Sequence, residues 1–459
     1  MKGTDMTDRL DESQTQKTGM LGFTIVWIGQ LLSLLGTNMT GFGLTIWAWE
    51  TTGSATSLSL VAFFAFAPLI FVSPFAGAIV DRHDRKKIMM LADLAAGLPT
   101  VAVLLLHTSG ALQVWNLFIT GAVAASFQAF HFPAYSSAIT MMVKKEHYGR
   151  ASGMLSTAEF AAQILAPIIA AILLGFIGIA GIMIIDISTF LFAISMLFFV
   201  HIPRPPTTEP QAKGLKAFLK ESFYGFGYIY RRPSLLGLQL TFFAINLIST
   251  FANVLLPAMV LARTGNNGIT LGTVMSAAGA GGLVGGLLLS VWGGPKRKVN
   301  GILLGVMATS LAGLLWLGIG RDVYVWVAAS FIGIFFLPTI NGSSQAIWQS
   351  KVAPELQGRV FATRRMIAQV SVPISMLLAG PLADRVFEPA MATNGGWANT
   401  FGPLVGTGAG AGMALMFVIT GILGAMVGLI PYLIRVIRDV EDLLPDHDRH
   451  SVVTEESKE

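Results

Sequence analysis

Apolar runs of about 20 residues recur along this chain, each long enough to cross the hydrocarbon core of a bilayer. Nothing else in the sequence constrains the fold as tightly. Lipid offers no water to the backbone, so a spanning run must satisfy its own N–H and C=O groups, and it does so as a helix. The charge content agrees: 12% of the 459 residues are charged and 53% are hydrophobic, against about 25% charged in an average soluble protein. So few charges cannot cover a soluble surface. The expectation is an all-α polytopic membrane protein. The chain has no cysteine, which excludes disulfides, thiolate metal sites and cysteine nucleophiles. The net charge of +5 resides in basic loops, so it bears on topology and gives no reason to expect a nucleic-acid partner.

The runs divide into about twelve spans. Six begin near Met20, Leu58, Ile88, Leu112, Ala151 and Gly181, and six near Leu235, Thr270, Asn300, Val323, Val360 and Ala411. The organisation expected is a cytoplasmic tail 1–19, a six-helix bundle 20–201, a linker 202–233, a second bundle 234–437 and a cytoplasmic tail 438–459. Lysine and arginine set the direction. With the N-terminus placed in the cytoplasm, all but Arg263, Arg321 and Arg385 of the 30 basic residues fall on the cytoplasmic face, including Lys351, Arg359, Arg364 and Arg365 in the last loop. The positive-inside rule then puts both termini in the cytoplasm of a multi-pass protein of the cell (plasma or inner) membrane. The first 19 residues are polar and the first apolar run is too long for a signal h-region, so no cleavable leader is expected. Both tails read as solvated ends.

The linker opens with Pro203, Pro205 and Pro206, which a helix interior excludes. From Lys213 to Arg232 it turns amphipathic, with Leu215, Phe218, Leu219 and Phe223 set against Lys213, Lys216 and Lys220. Such a helix suits the membrane interface, although an ordinary soluble linker would read similarly. Six spans on either side raise the question of a repeat. Val143, Glu146, Gly149 and Arg150 form V-x-x-E-x-x-G-R at the entry to span five, and Val352, Glu355, Gly358 and Arg359 repeat it at span eleven. Parallel repeats imply two bundles with a site between them near the midplane.

Between spans two and three stands Gly77-Ala-Ile-Val-Asp81-Arg82-His-Asp84-Arg85-Lys86-Lys87. It resembles the signature loop of the major facilitator superfamily, with Asp84 in place of the second glycine. Further stretches are similar to the branch of macrolide-efflux proteins and enterobactin-type siderophore exporters. They are Trp27-Ile-Gly-Gln30, Thr52-Gly-Ser-Ala55, Gln128-Ala-Phe-His-Phe-Pro133, Asn341-Gly-Ser-Ser-Gln345, Gln357-Gly-Arg-Val-Phe361 and Gly380-Pro-Leu-Ala-Asp-Arg385. The resemblance implies the two-bundle fold and export of an amphiphilic small molecule, a macrolide-like drug or siderophore, coupled to protons. It also implies a gating role for Gly77, Asp81, Arg82, Arg85 and Lys86. Two departures bear on the coupling. The second-half loop Gly293 to Lys298 lacks the aspartate, and span four carries Gln128 and His131 where many proton antiporters have a buried arginine. The span-five glycine-proline motif survives only as Ala166-Pro167.

Ionisable groups inside spans are costly, so each is a functional candidate. Asp93 lies about 9 Å along span three from Lys87 and Glu159 about 13 Å along span five from Arg150, where Gln163 and Pro167 continue its face. His131 lies about 18 Å into span four from Lys144, at a depth that makes a pair with Glu159 possible. Asp186 is shallow from the outer side of span six. These four are the proton-coupling candidates, each weighed against a packed, satisfied role. Gln30, Asn38, Gln128, Gln163, Asn246, Asn253, Asn341, Gln345 and Trp348 are candidates to line a substrate cavity, since amides in hydrocarbon need partners or water. The glycine string Gly279 to Gly286 looks like a dinucleotide loop but lies inside an apolar span with no strand before it, so helix packing explains it better. No H-E-x-x-H, Walker A or G-x-S-x-G sequence is present. The expectation is a transporter and no enzyme, with no cofactor and no metal. Its partners would be the amphiphilic substrate, protons and the bilayer, and it would act as a monomer. Uptake of a nutrient stays open as an alternative, and so, further off, does a membrane-embedded sensor or enzyme.

Overall fold

The computed structural model describes residues 19–82, 84–200 and 225–446. Most of the interfacial linker, 201–224, therefore falls outside the described residues, although 225–230 is helical. The chain forms two compact units, one of residues 1–47 and 61–211 and one of residues 48–60 and 212–459.

The first unit is built from α1 (Gly19–Thr52) and α2 (Ala55–Arg82), apart from their ends within 48–60, with α3 (Arg85–Thr108), α4 (Val114–Met142) and α5 (Tyr148–Phe199). Straight, the 52 residues of α5 would run about 78 Å, more than twice the roughly 30 Å of a bilayer core. The helix instead breaks at Gly178, where φ is 63° and ψ −177°. A side chain disfavours that region and glycine does not. The expected boundary between spans five and six, near Gly181, is thus a bend three residues earlier, with no loop. One apolar core of this unit gathers Phe23, Val80, Met89, Tyr135, Met142 and Leu197.

The second unit contains α6 (Pro233–Thr264), α7 (Gly268–Trp292), α8 (Lys298–Ile319, with a π turn at Thr309–Leu314), α9 (Val323–Lys351) and α10 (Pro354–Leu382). A π turn (Ala383–Phe387), the short α11 (Ala398–Val405), α12 (Ala411–Leu433), α13 (Arg435–Arg438) and α14 (Val440–Leu443) follow. Among the described residues, eleven helices are long and apolar enough to span a membrane: α1 to α10 and α12. Two of the sequence-based placements need correction. Arg364 and Arg365, counted with a loop, lie inside α10 about 15 Å beyond Pro354. The helix begins earlier than the apolar run suggests, because proline at its first position starts a helix without losing a bond.

The V-x-x-E-x-x-G-R repeat has a structural counterpart in each unit. Val143 and Val352 are the extended residues that end α4 and α9, with φ/ψ of −104°/141° and −111°/122°. Both are buried. Each uses one apolar, non-helical residue to turn the chain into the next span. The declined glycine string sits inside α7. A Cβ on Gly281 or Gly285 would lie 2.1 or 1.9 Å from the carbonyl oxygen of Phe331 or Phe335 on α9. These glycines are where two backbones meet, as small-residue packing in lipid requires.

The second correction concerns the C-terminal tail. Residues 435–446 do not project as a free end. Glu441 accepts the backbone N–H groups of Lys298 (3.1 Å) and Val299 (2.9 Å), capping α8. Arg297 pairs with Asp439 (3.6 Å) and with Asp442. Lys351, almost fully buried, donates to the Glu441 carbonyl at 2.6 Å and pairs with Asp446 at 2.8 Å. The loop 293–298 has no aspartate of its own, and this segment supplies its acids. The Arg438 hydrogen bond, with the charges of Arg438, Arg297 and Arg435, holds the Asp439 carboxyl below its ordinary range.

Gly285→Val should destabilise the purified protein by more than the roughly 1–3 kcal/mol of ordinary overpacking, since the neighbour is backbone, and so lower its thermal midpoint. Gly175→Ala, with nothing within 4 Å of the added carbon, should leave it unchanged or raise it. A depressed Asp439 contributes above the ordinary aspartate pKa, about 3.9, and loses its contribution as pH falls below it. Because the chain has no cysteine, a spin label on Pro445→Cys reports the docking. It should stay immobile between roughly pH 5 and 8 and become mobile by about pH 3.

Candidate proton-coupling and substrate-binding residues

Several of the short stretches picked out in the sequence meet one another. Gln30 on α1, Asp93 on α3 and His131 on α4 form one cluster in the first unit. The Gln30 amide donates to Asp93 Oδ2 at 2.9 Å. His131 Nε2 lies 3.1 Å from Gln30 Oε1 and 3.1 Å from Asp93 Oδ1. The Tyr135 ring stacks obliquely beside His131, 5.7 Å between centroids. The carboxylate oxygen and the amide oxygen thus both face one imidazole nitrogen. His131 pairs with Asp93, and the pairing with Glu159 that depth alone allowed does not form. Depth along two helices says nothing about which faces oppose each other. Glu159 and Gln163 are both exposed on α5.

Asp186 is buried beyond this cluster. It accepts the hydroxyls of Thr37 and Thr100, each at 3.1 Å. A cavity of about 40 Å³ joins the two aspartates, lined also by Ser33, Thr37 and Thr100. That is polar and roomy enough for water. Its polar walls come from Ser33 and Thr37 on one face of α1, from Asp93 and Thr100, two turns apart, on α3, and from Asp186.

The amide candidates divide. Gln30 belongs to the cluster above. Asn38 and Asn246 bond back to carbonyls of their own helices, Leu34 and Phe242. Gln128, Asn253 and Asn341 are exposed, whereas Trp348 is fully buried. Gln345 accepts from Arg364 Nη1 at 3.0 Å, and Ser344 accepts from Nη2 at 2.7 Å. Arg364 escaped the sequence reading because a basic residue ten positions into a helix looks like the end of a loop.

Of the signature-loop residues, Gly77, Asp81 and Arg82 close α2 and Arg85 opens α3, and their side chains lie outside the described part. Lys86 donates to the carbonyls of Phe198 and Val200, both at 2.8 Å, holding the end of α5. Asp84 accepts the N–H groups of Lys86 and Lys87. The residue that departs from the family pattern is therefore the N-cap of α3, a position that aspartate fills well.

Asp384, in the Gly380 to Arg385 stretch, was singled out for no role. In the second unit it accepts the Ser54 hydroxyl (2.6 Å) and the backbone N–H groups of Ala55 (3.0 Å) and Thr56 (2.8 Å), capping the first turn of α2 from the π turn that follows α10. The Gly-x-x-x-Asp-Arg spacing is the same as in Gly77 to Arg82. Each copy ends a helix with a carboxylate suited to another helix's N-terminus.

Eleven apolar helices of spanning length among the described residues, with ionisable groups held inside them, make this a membrane protein, and the comparisons identify it as a transporter and not an enzyme. The comparisons are specific about which kind. The sequence profile of the Major Facilitator Superfamily matches residues 26–376, and the chain belongs to that family. It is 27% identical over 375 residues to macrolide efflux protein A of Streptococcus pyogenes, covering 80% of this chain and 90% of that one. It is 28% identical over 381 residues to the multidrug efflux pump Tap of Mycolicibacterium fortuitum, covering 78% and 90%. The family membership and these relatives place it in a macrolide-efflux-like branch. Its fold is similar to an inward-facing bacterial homologue of the human lysosomal transporter Spinster (TM-score 0.65, 15% identity, 89% and 96% covered). It is also similar to an inward-facing bacterial homologue of ferroportin (TM-score 0.64, 14% identity, 90% and 98% covered).

Asp384→Asn keeps the shape of the α2 cap and removes its charge. It should cost about 1.5–3 kcal/mol, the worth of hydrogen bonds to an ionised group. Hydrogen exchange at the amides of Ala55 and Thr56 should accelerate accordingly, with those of α7 unchanged.

Proposed function

We propose that the chain is a twelve-span exporter of the plasma or inner membrane with both termini in the cytoplasm, the twelfth span arising from the bend of α5. It moves an amphiphilic small molecule outward by alternating access in exchange for protons. The observation that carries this reading is the Asp93–His131–Gln30 cluster. Histidine is the side chain whose charge changes most readily near neutral pH, and an opposing carboxylate with an amide orienting it makes a one-proton carrier. The printed names of the efflux relatives support the outward direction and an amphiphilic substrate. Asp186, joined to the cluster by the polar cavity, is the second group on the proton's route.

The gating motif takes a share of the cycle. Asp81, with Arg82, Arg85 and Lys86, holds the cytoplasmic end closed in one state, and Asp384 holds the first turn of α2 in the other. Gln128, Glu159, Gln163, Asn253 and Asn341 offer exposed polar groups to the substrate. The protein works as a monomer without cofactor or metal.

Inside-out vesicles with an imposed proton gradient test the reading, following a labelled macrolide and a labelled catecholate siderophore. Wild type should accumulate at least one of them, and an uncoupler should abolish the accumulation. Asp93→Asn and His131→Gln should each lower the initial rate about 100-fold, at the low end of what loss of a positioned acid or base costs, with Glu159→Gln near wild type. Uncoupler-resistant accumulation, or full coupling in Asp93→Asn, would sink the assignment. Accumulation only under the reversed gradient would make the protein an importer.

A further inference from the structure

Arg364 is a half-buried charge in a described span whose compensation is incomplete. It lies about 12 Å along α10 from Leu356, where the membrane-spanning stretch begins. Guanidinium does not lose its proton in proteins, so the charge stays at that depth. Four neutral groups soften it. Ser344 Oγ and Gln345 Oε1 each accept one N–H. The Trp348 and Phe242 rings lie 5.2 and 5.8 Å from the guanidinium carbon, within cation–π range.

Two N–H groups of five are therefore engaged. Each terminal nitrogen keeps a second one and Nε keeps its own, in the flat fork that fits a carboxylate in bidentate fashion. Among the described residues no carboxylate pairs with Arg364. Arg263, another half-buried arginine of this unit, sets the contrast. It donates to the carbonyls of Gly320 and Val405 and has Glu388 as an opposing charge nearby. Beside Arg364 there is a second idle donor. Trp348 Nε1 is buried without a hydrogen-bond partner, on the ring that the guanidinium covers. A fixed cation, open N–H groups and flanking aromatic rings together make half of a recognition site. The missing half is an anion with an apolar body.

We propose that Arg364, backed by Ser344, Gln345, Phe242 and Trp348, binds the carboxylate of an amphiphilic substrate anion. This rests on the reading of the chain as a transporter of amphiphiles and narrows it to acidic ones. Ser344 and Gln345 orient the fork, and the buried Phe242 and Trp348 rings back the guanidinium from the core side. The carboxylate neutralises the arginine, so binding is favoured by a charge that the empty protein leaves uncompensated.

The test uses the full chain in lipid nanodiscs without any gradient, titrated calorimetrically with sub-micellar deoxycholate and with its methyl ester. Empty nanodiscs subtract partitioning into lipid. Wild type should bind the acid at least about tenfold more tightly than the ester, as a charge-assisted pair predicts. Arg364→Gln should bring the ratio to about one by weakening the acid alone, and Arg364→Lys, which keeps the charge but loses the fork, should fall between. Equal affinity of wild type for acid and ester, or measurable binding of neither, overturns the proposal. So does a ratio preserved in Arg364→Gln. If that variant does not fold, the wild-type ratio and Arg364→Lys decide. Because binding is read at equilibrium, failure of proton-coupled export in vesicles leaves this result untouched, and the two readings fail separately.

Discussion

The structure is governed by the cost of leaving a polar group unpaired where there is no water. In hydrocarbon an unsatisfied N–H or carboxylate is dearer than any single apolar contact is favourable. Side-chain placement follows from that inequality. Asp186 takes two threonine hydroxyls, Glu388 takes the backbone N–H groups of Gly410 and Met413, and Asp384 takes the first turn of α2. The helix-end carboxylates do most of this pairing, since a helix N-terminus offers several free N–H groups and a favourable dipole in one place. Satisfied groups of this kind hold the fold. In two places satisfaction is partial or shared, and the proposed function rests on them.

One is the cluster of Asp93, His131 and Gln30, where two acceptors converge on one imidazole nitrogen. The other is Arg364, where a permanent cation meets only neutral acceptors and rings. The first lies in the first unit and the second in the second unit. The proposed proton-handling group and the proposed substrate-handling group are thus held by different helices. Each unit keeps its own apolar core, so a substitution at one site need not disturb the other.

The departures from the family pattern have local physical reasons. Asp84, in the position of a glycine, caps α3. The second-half loop without an aspartate receives Glu441, Asp439 and Asp442 from the C-terminal segment. A carboxylate missing from a loop need not be missing from the site, because a distant segment can return it. Short-range motif comparison cannot see such a replacement. It records only that the loop has changed.

The sequence alone determined the solvent, the helices and their approximate ends. Uncharged runs of spanning length have one stable form in lipid, and prolines and extended valines such as Val352 mark where one run ends and the next begins. It also marked the stretches that matter, since Trp27 to Gln30, Gln128 to Pro133, Thr52 to Ala55 and Gly380 to Arg385 all lie at contacts in the structure. What the tertiary structure decided was which of them touch. Distance along a helix gives a side chain's depth and leaves its azimuth relative to other helices open. That is why His131 met Asp93 and not Glu159, why Arg364 passed for a loop residue, and why a tail read as free proved to be docked. Pairing of this sort depends on helix rotation and close approach, which backbone packing at positions such as Gly281 and Gly285 sets. No local run of residues encodes that.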